Sequence, residues 1–267
     1  MTTPAEHRGI LRRIAPEAAL LLGAGRAILL QLADPRIGIA VVRHSDFVAN
    51  PMARLHNTLA YVYALSVGDE HHRAAVVSFV NAAHAPVHAP RDEARRTPAY
   101  SARDPRLQLW VAATLYDSAA VAGAATLPPL DEAQQEQLYR EYACLGEALQ
   151  MPADFWPADR AGFQAYFRDQ VGRLELGDEV RRAAAELFIG RHAPWWVRLL
   201  LPWVRDVTIV LLPATVRELY GYRLTARVRR RAALVTTLVR WASRVLPAAI
   251  RQAPMRYALR RIERGLG

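Results

Sequence analysis

The sequence contains a single cysteine, Cys144, and no lysine. One cysteine excludes an internal disulfide and a zinc site built from several thiolates, and a reducing compartment is then the simplest expectation. Arginine carries nearly all of the positive charge, which gives a net charge of +10 and a pI of about 10.4. A chain this basic could bind an anionic membrane surface or nucleic acid. No nucleic-acid-binding motif or aromatic platform accompanies the arginines, which argues against nucleic acid as a partner.

Long uninterrupted apolar runs are also missing. A transmembrane helix needs about 18 or more consecutive apolar residues. The nearest candidate, residues 195–216, is interrupted by Arg198, Arg205 and Asp206. The first residues are polar, and the apolar stretch after them contains Arg26, a pattern that does not match a signal peptide. We therefore expect a cytoplasmic protein that could make peripheral contact with a membrane.

Strand signals are scarce, whereas apolar residues with helical spacing recur along the whole chain. Hydrophobic residues make up 52% of the sequence, which is enough to build a sizeable core. No Gly/Ser run or low-complexity block marks a linker between domains. The sequence therefore predicts an all-α protein, with one multi-helix bundle over residues 1–267.

Basic amphipathic helices are predicted over residues 223–265. Within them, apolar residues form a stripe at helical spacing with arginines on the opposite side. The stripe consists of Leu234, Val235, Leu238, Trp241, Ala242, Val245 and Leu246. Such a stripe can face the protein core, or it can face an anionic membrane surface. A non-catalytic helical protein that associates with anionic membranes through this region is therefore one hypothesis for its function.

Two glycines interrupt the apolar segment 17–32, which is predicted to be a buried helix. A dinucleotide-binding fingerprint would need a third glycine after Gly23 and Gly25, and Ile28 stands in its place. The glycines instead indicate the start of a helix or a close helix contact. Further along, Asp117 on a largely apolar helix is expected to be a buried acceptor for an arginine or a histidine.

The most informative stretch runs from residue 54 to residue 88. Arg54, Asn57 and Thr58 have the spacing i, i+3 and i+4, so they share one face of a helix. The next predicted helix ends near His84. Consecutive helices of a hairpin pack against each other, so these four side chains could converge on one buried cavity. From the residues alone, a histidine such as His84 near a helix end is more often a core or capping residue, and an exposed position is the alternative for Arg54.

Helix boundaries in this stretch follow from its prolines. Asn50-Pro51 predicts a helix start, with asparagine as the N-cap and proline in the first turn. Pro86 removes a backbone donor, so the second helix is expected to end or kink between His84 and His88. If the helix continued, His84 and His88 would lie one turn apart and could bind a metal ion together. His88 is therefore the alternative metal ligand.

Seven short segments, in the same order along the chain, resemble the family of the latex-clearing rubber oxygenases and the fungal MpaB oxygenase of mycophenolic acid biosynthesis. They comprise residues 25–32, 44–47, 54–58, 84–87, 100–105, 109–118 and 212–221. The resemblance implies an all-α, distantly globin-like fold that holds b-type haem. It also implies an oxygenase that uses dioxygen on a hydrophobic, isoprenoid-like small molecule, by cleavage of a carbon–carbon double bond or by hydroxylation.

Carried over by position, the resemblance assigns roles to particular residues. His84 matches the histidine that ligates the haem iron, whereas Arg54 and Thr58 match polar residues of the distal pocket that contact the cofactor and the oxygen. Asn57 stands where the rubber enzymes carry a lysine, and it is the third catalytic candidate. Dioxygen is expected on the side of the haem opposite His84, polarised by these groups.

Three further positions bear on the reaction. Ala112 occupies a position where many relatives have a histidine, and Asp34 stands where relatives often have a histidine before the proline. Asp46 is a candidate for the acidic base proposed in the rubber enzymes. These differences, together with Asn57, concern the substrate and the reaction, whereas the expectation of haem depends mainly on His84.

Overall fold

Helices form nearly all of the regular structure in the computed structural model, which describes residues 9–44, 51–95, 97–191 and 193–265. The all-α fold predicted from the sequence is therefore confirmed. The helices are α1 (Ile10–Ile14), α2 (Ala24–Leu32), α3 (Pro35–His44), α4 (Pro51–Val67), α5 (Glu70–His84), α6 (Pro105–Thr126), α7 (Glu132–Tyr142), α8 (Cys144–Glu147), α9 (Arg160–Gly172), α10 (Asp178–Ile189), α11 (Trp195–Leu211), α12 (Ala214–Leu219), α13 (Ala226–Val245), α14 (Ala248–Arg251) and α15 (Ala253–Glu263). Two 3₁₀ helices cover Ala18–Gly23 and Ala153–Phe155.

A small hairpin follows α5. Its strands, β1 (His88–Ala89) and β2 (Tyr100–Ser101), pair antiparallel, with His88 opposite Ser101. The helix thus ends at His84, as Pro86 predicts, and His88 lies on a strand rather than on the last helical turn.

One apolar core contains buried residues from α1 at one end of the chain to α15 at the other, with α6 and its neighbours at the centre. Part of this core is a cluster of aromatic rings whose centroids lie about 5–6 Å apart, mostly in edge or tilted arrangements. Buried rings of this kind contribute large apolar areas and favourable ring–ring geometry. The cluster consists of Trp110, Tyr116, Tyr139, Trp156, Phe163 and Phe167.

The two glycines of the apolar segment 17–32 mark close helix contacts, as one of the alternatives predicted. A Cβ atom on Gly23 would overlap the backbone carbonyl of Ser118 in α6, and a Cβ atom on Gly25 would overlap the Thr208 hydroxyl in α11. The segment is not one α-helix, because a 3₁₀ helix ends at Gly23 before α2 begins. The glycines therefore let α2 approach α6 and α11.

Replacing Gly25 with alanine is expected to lower the free energy of unfolding by about 1–3 kcal/mol, because the new methyl group must displace the buried, stiff Thr208 side chain. Denaturation with urea measures this change. Gly172 is a matched control, since it ends α9 and nothing lies within 4 Å of its added Cβ. Gly172→Ala should be neutral or stabilise by up to about 1 kcal/mol. Equal effects of the two substitutions would contradict the close-contact interpretation.

A buried ion pair joins α2 to α6. Arg26, which is 4% exposed, pairs with Asp117, the acceptor predicted from the sequence, whose side chain is partly buried. Its Nη1 also donates to the Ser118 hydroxyl at 3.0 Å, and its Nε donates to the Leu211 carbonyl at 2.8 Å. Burial raises the pKa of Asp117 and lowers that of Arg26, and in each case the attraction of the partner opposes the shift. The pair thus ties three helices together at one point.

Two sequence-based helix boundaries are wrong. Because proline cannot donate a backbone hydrogen bond inside a helix, Pro202 predicts a helix end, but α11 continues through it. Pro202 and Arg198, whose carbonyl loses its intrahelical donor to the proline, are both exposed, so water can satisfy that carbonyl. The sequence between Pro129 and Pro152 predicts a single helix over residues 131–149, but this segment is divided into α7 and α8.

The C-terminal stripe is only partly in contact with the core. Val235, Ala242 and Leu246 are partly buried, but Leu234, Leu238, Trp241 and Val245 are at least half exposed. The alternative in which the stripe faces the core is therefore wrong for these four residues.

Within the described ranges, no single helix combines the length and apolarity needed to cross a bilayer. Taken together, residues 18–32 and 35–44 are long and apolar enough for a membrane span, but the two segments meet at a bend of 102°.

Candidate functional site

The helical hairpin of α4 and α5 positions the side chains singled out in the sequence. Helix α4 begins at Pro51, as predicted, while Asn50 and Asp46 lie outside the described residues. Helix α5 begins at the N-cap Asp69, whose carboxylate accepts the His72 backbone N–H. Because the two helices pack together, the polar face of α4 and the last turn of α5 border the same space.

That space is a cavity of about 450 Å³, a size within the range of cofactor and ligand pockets. Arg54, Asn57 and Thr58 of α4 and His84 of α5 all line it. His88 does not, and its side chain is exposed on β1. The structure therefore brings together four of the five candidate residues, and the fifth, His88, faces a different environment.

His84 has the properties of an imidazole that can ligate a metal. Its Nδ1 atom is buried and has no hydrogen-bond partner among the described residues. Burial lowers the pKa of His84 below 6.5, and the positive charges of Arg54 and Arg103 lower it further. The ring is therefore neutral at neutral pH, which metal coordination requires. A buried nitrogen without a partner costs free energy, and coordination to a metal or a bond to a ligand would recover it.

Arg54 is not an exposed helix arginine. Its side chain is partly buried at the cavity wall, and desolvation lowers its pKa to about 10. The guanidinium nevertheless remains protonated at neutral pH. It therefore places a positive charge near the imidazole of His84, where an anionic group of a bound molecule would be stabilised.

The C-terminal helix α15 holds Asn57. The Asn57 side-chain oxygen accepts a hydrogen bond from Nη1 of Arg261 at 3.0 Å, and the ring of Tyr257 lies 5.6 Å from that of His56. This bond uses one of the two lone pairs of the amide oxygen and leaves both N–H groups of the amide available as donors. Asn57 and Arg261 are 204 positions apart, so no local sequence pattern predicts their contact.

Other polar residues of the cavity were missed by the sequence analysis. Gln31 of α2 is buried and donates from Nε2 to the Thr114 hydroxyl at 3.0 Å. His44 and Tyr100 also line the cavity, and their side chains lie 2.9 Å apart. Gln31 could have been noticed because it is, with Arg26, one of two polar side chains on an otherwise apolar helix.

A second cavity of about 270 Å³ adjoins the first and has an almost wholly apolar lining. Gln31, Arg54, Thr58 and Leu115 line both cavities, so they form the wall between them. Val197, Leu201 and Val204 of α11 also line the second cavity. The polar side chains of α4 are thus accessible from two spaces of different character.

Ala112 and Asp34 have different places in the structure. Ala112 is buried and lines the first cavity, where its methyl group offers no metal ligand or hydrogen bond. Asp34 instead accepts the backbone N–H of Arg36 at 2.9 Å at the start of α3, and it pairs with the Arg36 guanidinium at 2.9 Å. It lines neither of these two cavities.

In the part of the chain that the structure describes, no three His, Cys, Asp or Glu side chains converge as ligands for a bare metal ion. An iron held in a porphyrin requires less of the protein, since four of its ligands come from the ring and one imidazole can suffice. The first cavity contains residues that fit such a group: the neutral imidazole of His84, the partly buried cation of Arg54 and a largely apolar lining.

Comparison with known proteins identifies the family. Residues 11–242 match the family described as the ER-bound oxygenase mpaB/B′ and rubber oxygenase catalytic domain. Among curated proteins, an uncharacterized protein of Mycobacterium bovis and one of Mycobacterium tuberculosis are each 29% identical over 225 residues, which cover 82% of this chain and 87% of theirs. No solved structure gives a significant match. The chain therefore belongs to the family of the mpaB/B′ and rubber oxygenase catalytic domains.

Proposed function

We propose that this protein is a haem b-dependent oxygenase that uses dioxygen on a hydrophobic small molecule, such as an isoprenoid chain, by double-bond cleavage or by hydroxylation. The observation that carries the proposal is the convergence of His84, Arg54 and Thr58 on one cavity. These are the residues that the family resemblance assigns to haem ligation and to the distal pocket. The family itself supports oxygenase chemistry in general.

His84 would hold the cofactor. Its ring is neutral at neutral pH, and its buried Nδ1 has no hydrogen-bond partner among the described residues. When bound, haem supplies the iron at which dioxygen is activated. The protein supplies the imidazole ligand, the shape of the cavity and its electrostatics.

Arg54 and Thr58 would act on the oxygen side. The partly buried guanidinium of Arg54 stabilises negative charge that develops on oxygen, because the surrounding dielectric is lower than that of water and the charge is held in place. The Thr58 hydroxyl lines the same wall and can donate a hydrogen bond. Asn57 would contribute a neutral N–H donor where the rubber enzymes carry a lysine.

The second cavity would bind the substrate. Its lining is apolar, so a hydrocarbon chain gains free energy when it leaves water and enters it. Because Arg54 and Thr58 also line this cavity, a chain bound there lies beside the groups assigned to oxygen. Such a chain would also exclude water from the wall between the cavities.

Absorption spectra of the full-length protein, purified and then reconstituted with haemin, test this proposal most directly. We expect one haem per chain, a Soret band, and a shift of that band when dithionite reduces the iron. Oxygen consumption with squalene as a test substrate then measures turnover. A protein that stays colourless after reconstitution would overturn the proposal and favour the non-catalytic alternative.

Filling the second cavity should separate substrate binding from haem binding. Ala119 lines this cavity, and Ala119→Phe is expected to lower squalene-dependent oxygen consumption at least about tenfold while the Soret band is retained. Ala124, on the same helix but exposed, is the matched control, and Ala124→Phe should leave both properties unchanged. Loss of haem in Ala119→Phe would show instead that the two cavities are one binding site.

A further inference from the structure

The first half of α11 carries a group of large apolar side chains that contact little of the protein. Trp195 is 74% exposed and Leu199 is 64% exposed, while Trp196 and Leu200 are each 53% exposed. Large apolar groups exposed side by side are uncommon on soluble proteins and mark interaction surfaces. The first half of α11 is therefore a candidate interaction surface.

Helix α13 exposes a second apolar row. Leu234, Leu238, Trp241 and Val245 follow the spacing i, i+4, i+7 and i+11, so they share one face, and each is 50–62% exposed. The helix packs on the protein through a different face, on which Ala232 is buried. The row therefore lies on an exposed face of α13, while another face of the same helix packs on the protein.

The two helices lie against each other. Arg231 of α13 is 3.5 Å from the carboxylate of Asp206 in α11, and its guanidinium lies 5.0 Å above the ring of Trp203. The exposed apolar residues of α11 and α13 therefore belong to one packed helix pair. We call them together the tryptophan face.

The charged side chains that α11 and α13 expose have one sign. The sequence contains no Asp or Glu between residues 219 and 262, and the acidic residue of α11, Asp206, is buried and paired. The exposed arginines of the two helices are Arg198, Arg205, Arg227, Arg229, Arg230, Arg240 and Arg244. Any partner of this surface must therefore tolerate or attract a high density of positive charge.

We propose that the tryptophan face docks this protein on an anionic lipid bilayer. The tryptophan and leucine side chains would lie among the headgroups and upper acyl chains, where tryptophan is favoured, and the arginines would contact lipid phosphates. The arginine side chains are long enough to keep their charges in the headgroup layer while their stems cover apolar surface. A second copy of the chain fits less well, because a two-fold contact would bring like-charged surfaces together.

Docking in this orientation would place the substrate cavity at the membrane, a consequence that rests on the proposed function. Val197, Leu201 and Val204 line the second cavity from α11, the same helix that carries the two most N-terminal tryptophans of the tryptophan face. A lipid-soluble substrate could then reach the cavity without crossing water. The docking itself does not require haem, so vesicle binding and the haem spectrum can fail independently.

Flotation of the full-length protein with vesicles tests the docking. We expect binding to vesicles containing phosphatidylglycerol, weak binding to pure phosphatidylcholine, and a blue shift of tryptophan fluorescence on binding. Trp196→Ser with Trp241→Ser should lower the partition coefficient at least about tenfold. Arg230→Gln with Arg244→Gln should lower it about fivefold for each arginine removed, and more so at low salt.

Two control variants match these changes elsewhere on the surface. Arg168→Gln with Arg182→Gln removes the same charge from exposed positions on α9 and α10, and Phe155→Ser removes an exposed aromatic ring from a 3₁₀ helix. All of the controls should bind vesicles like the unmodified protein. Equal binding to both kinds of vesicle, or none to either, would overturn the proposal. So would a concentration-dependent dimer that Trp196→Ser with Trp241→Ser abolishes, since a second copy would then be the occupant.

Discussion

Replacing His84 with alanine is expected to abolish stable haem binding, with a loss of affinity greater than about 100-fold. The reason is that His84 is the cavity histidine with a buried nitrogen left without a hydrogen-bond partner among the described residues, whereas the ring of His44 on the same cavity lies 2.9 Å from the Tyr100 hydroxyl; alanine leaves the position of His84 without a donor. Titration of the purified variant with haemin, followed by the Soret band, measures the loss.

Two further variants show whether the loss is due to the ligand itself. His88→Ala removes the nearby histidine that is exposed on β1, and it should retain full haem binding. His84→Gly should recover a Soret band when free imidazole is added, because the small molecule can occupy the space of the missing ring. If His88→Ala loses haem and His84→Ala keeps it, the assignment of the ligand is wrong.

Replacing Arg26 with methionine should have the largest effect on stability, lowering the free energy of unfolding by about 3–5 kcal/mol. The substitution leaves the partly buried carboxylate of Asp117 without its counter-charge and removes two hydrogen bonds, to the Ser118 hydroxyl and the Leu211 carbonyl. Denaturation with urea, monitored by circular dichroism, measures the change in the absence of haem.

An exposed arginine–aspartate pair provides the control. Arg173 and Asp169 lie 2.9 Å apart on the surface of α9, and Arg173→Met should change stability by less than about 0.5 kcal/mol. Adding Asp117→Leu to Arg26→Met should restore part of the lost stability, because it removes the unpaired charge. A loss below about 1 kcal/mol in Arg26→Met would mean that the pair contributes little to joining the three helices.

Much of the helical architecture could be predicted because helix boundaries are local. Asp104-Pro105 and Asp131 predict the starts of α6 and α7, and both aspartates accept backbone N–H groups as N-caps in the structure. The continuation of α11 through Pro202 could not be predicted in this way. Whether a helix tolerates an internal proline depends on what surrounds the freed carbonyl, and that is a property of the folded surface.

The candidate site was predictable to a similar extent. Arg54, Asn57 and Thr58 share a helix face because of their spacing, and His84 follows because the next helix must end before Pro86. The contact of Arg261 with Asn57 and the wall that separates the two cavities were not predictable. They join elements that are far apart in the chain, and a helical period carries no information about such contacts.

The amino-acid sequence by itself determined the all-α class, the start and end of the helices around the cavity, and which side chains share a face, since each depends on neighbours within a turn or two. The tertiary structure alone decided which of these faces became buried. It placed Asp117 beside Arg26, divided the interior into a polar-walled and an apolar cavity, and left the row from Leu234 to Val245 in solvent. The physical reason is that burial depends on how whole helices pack, and the stripe on α13 is equally apolar whether a helix, a bilayer or water lies against it.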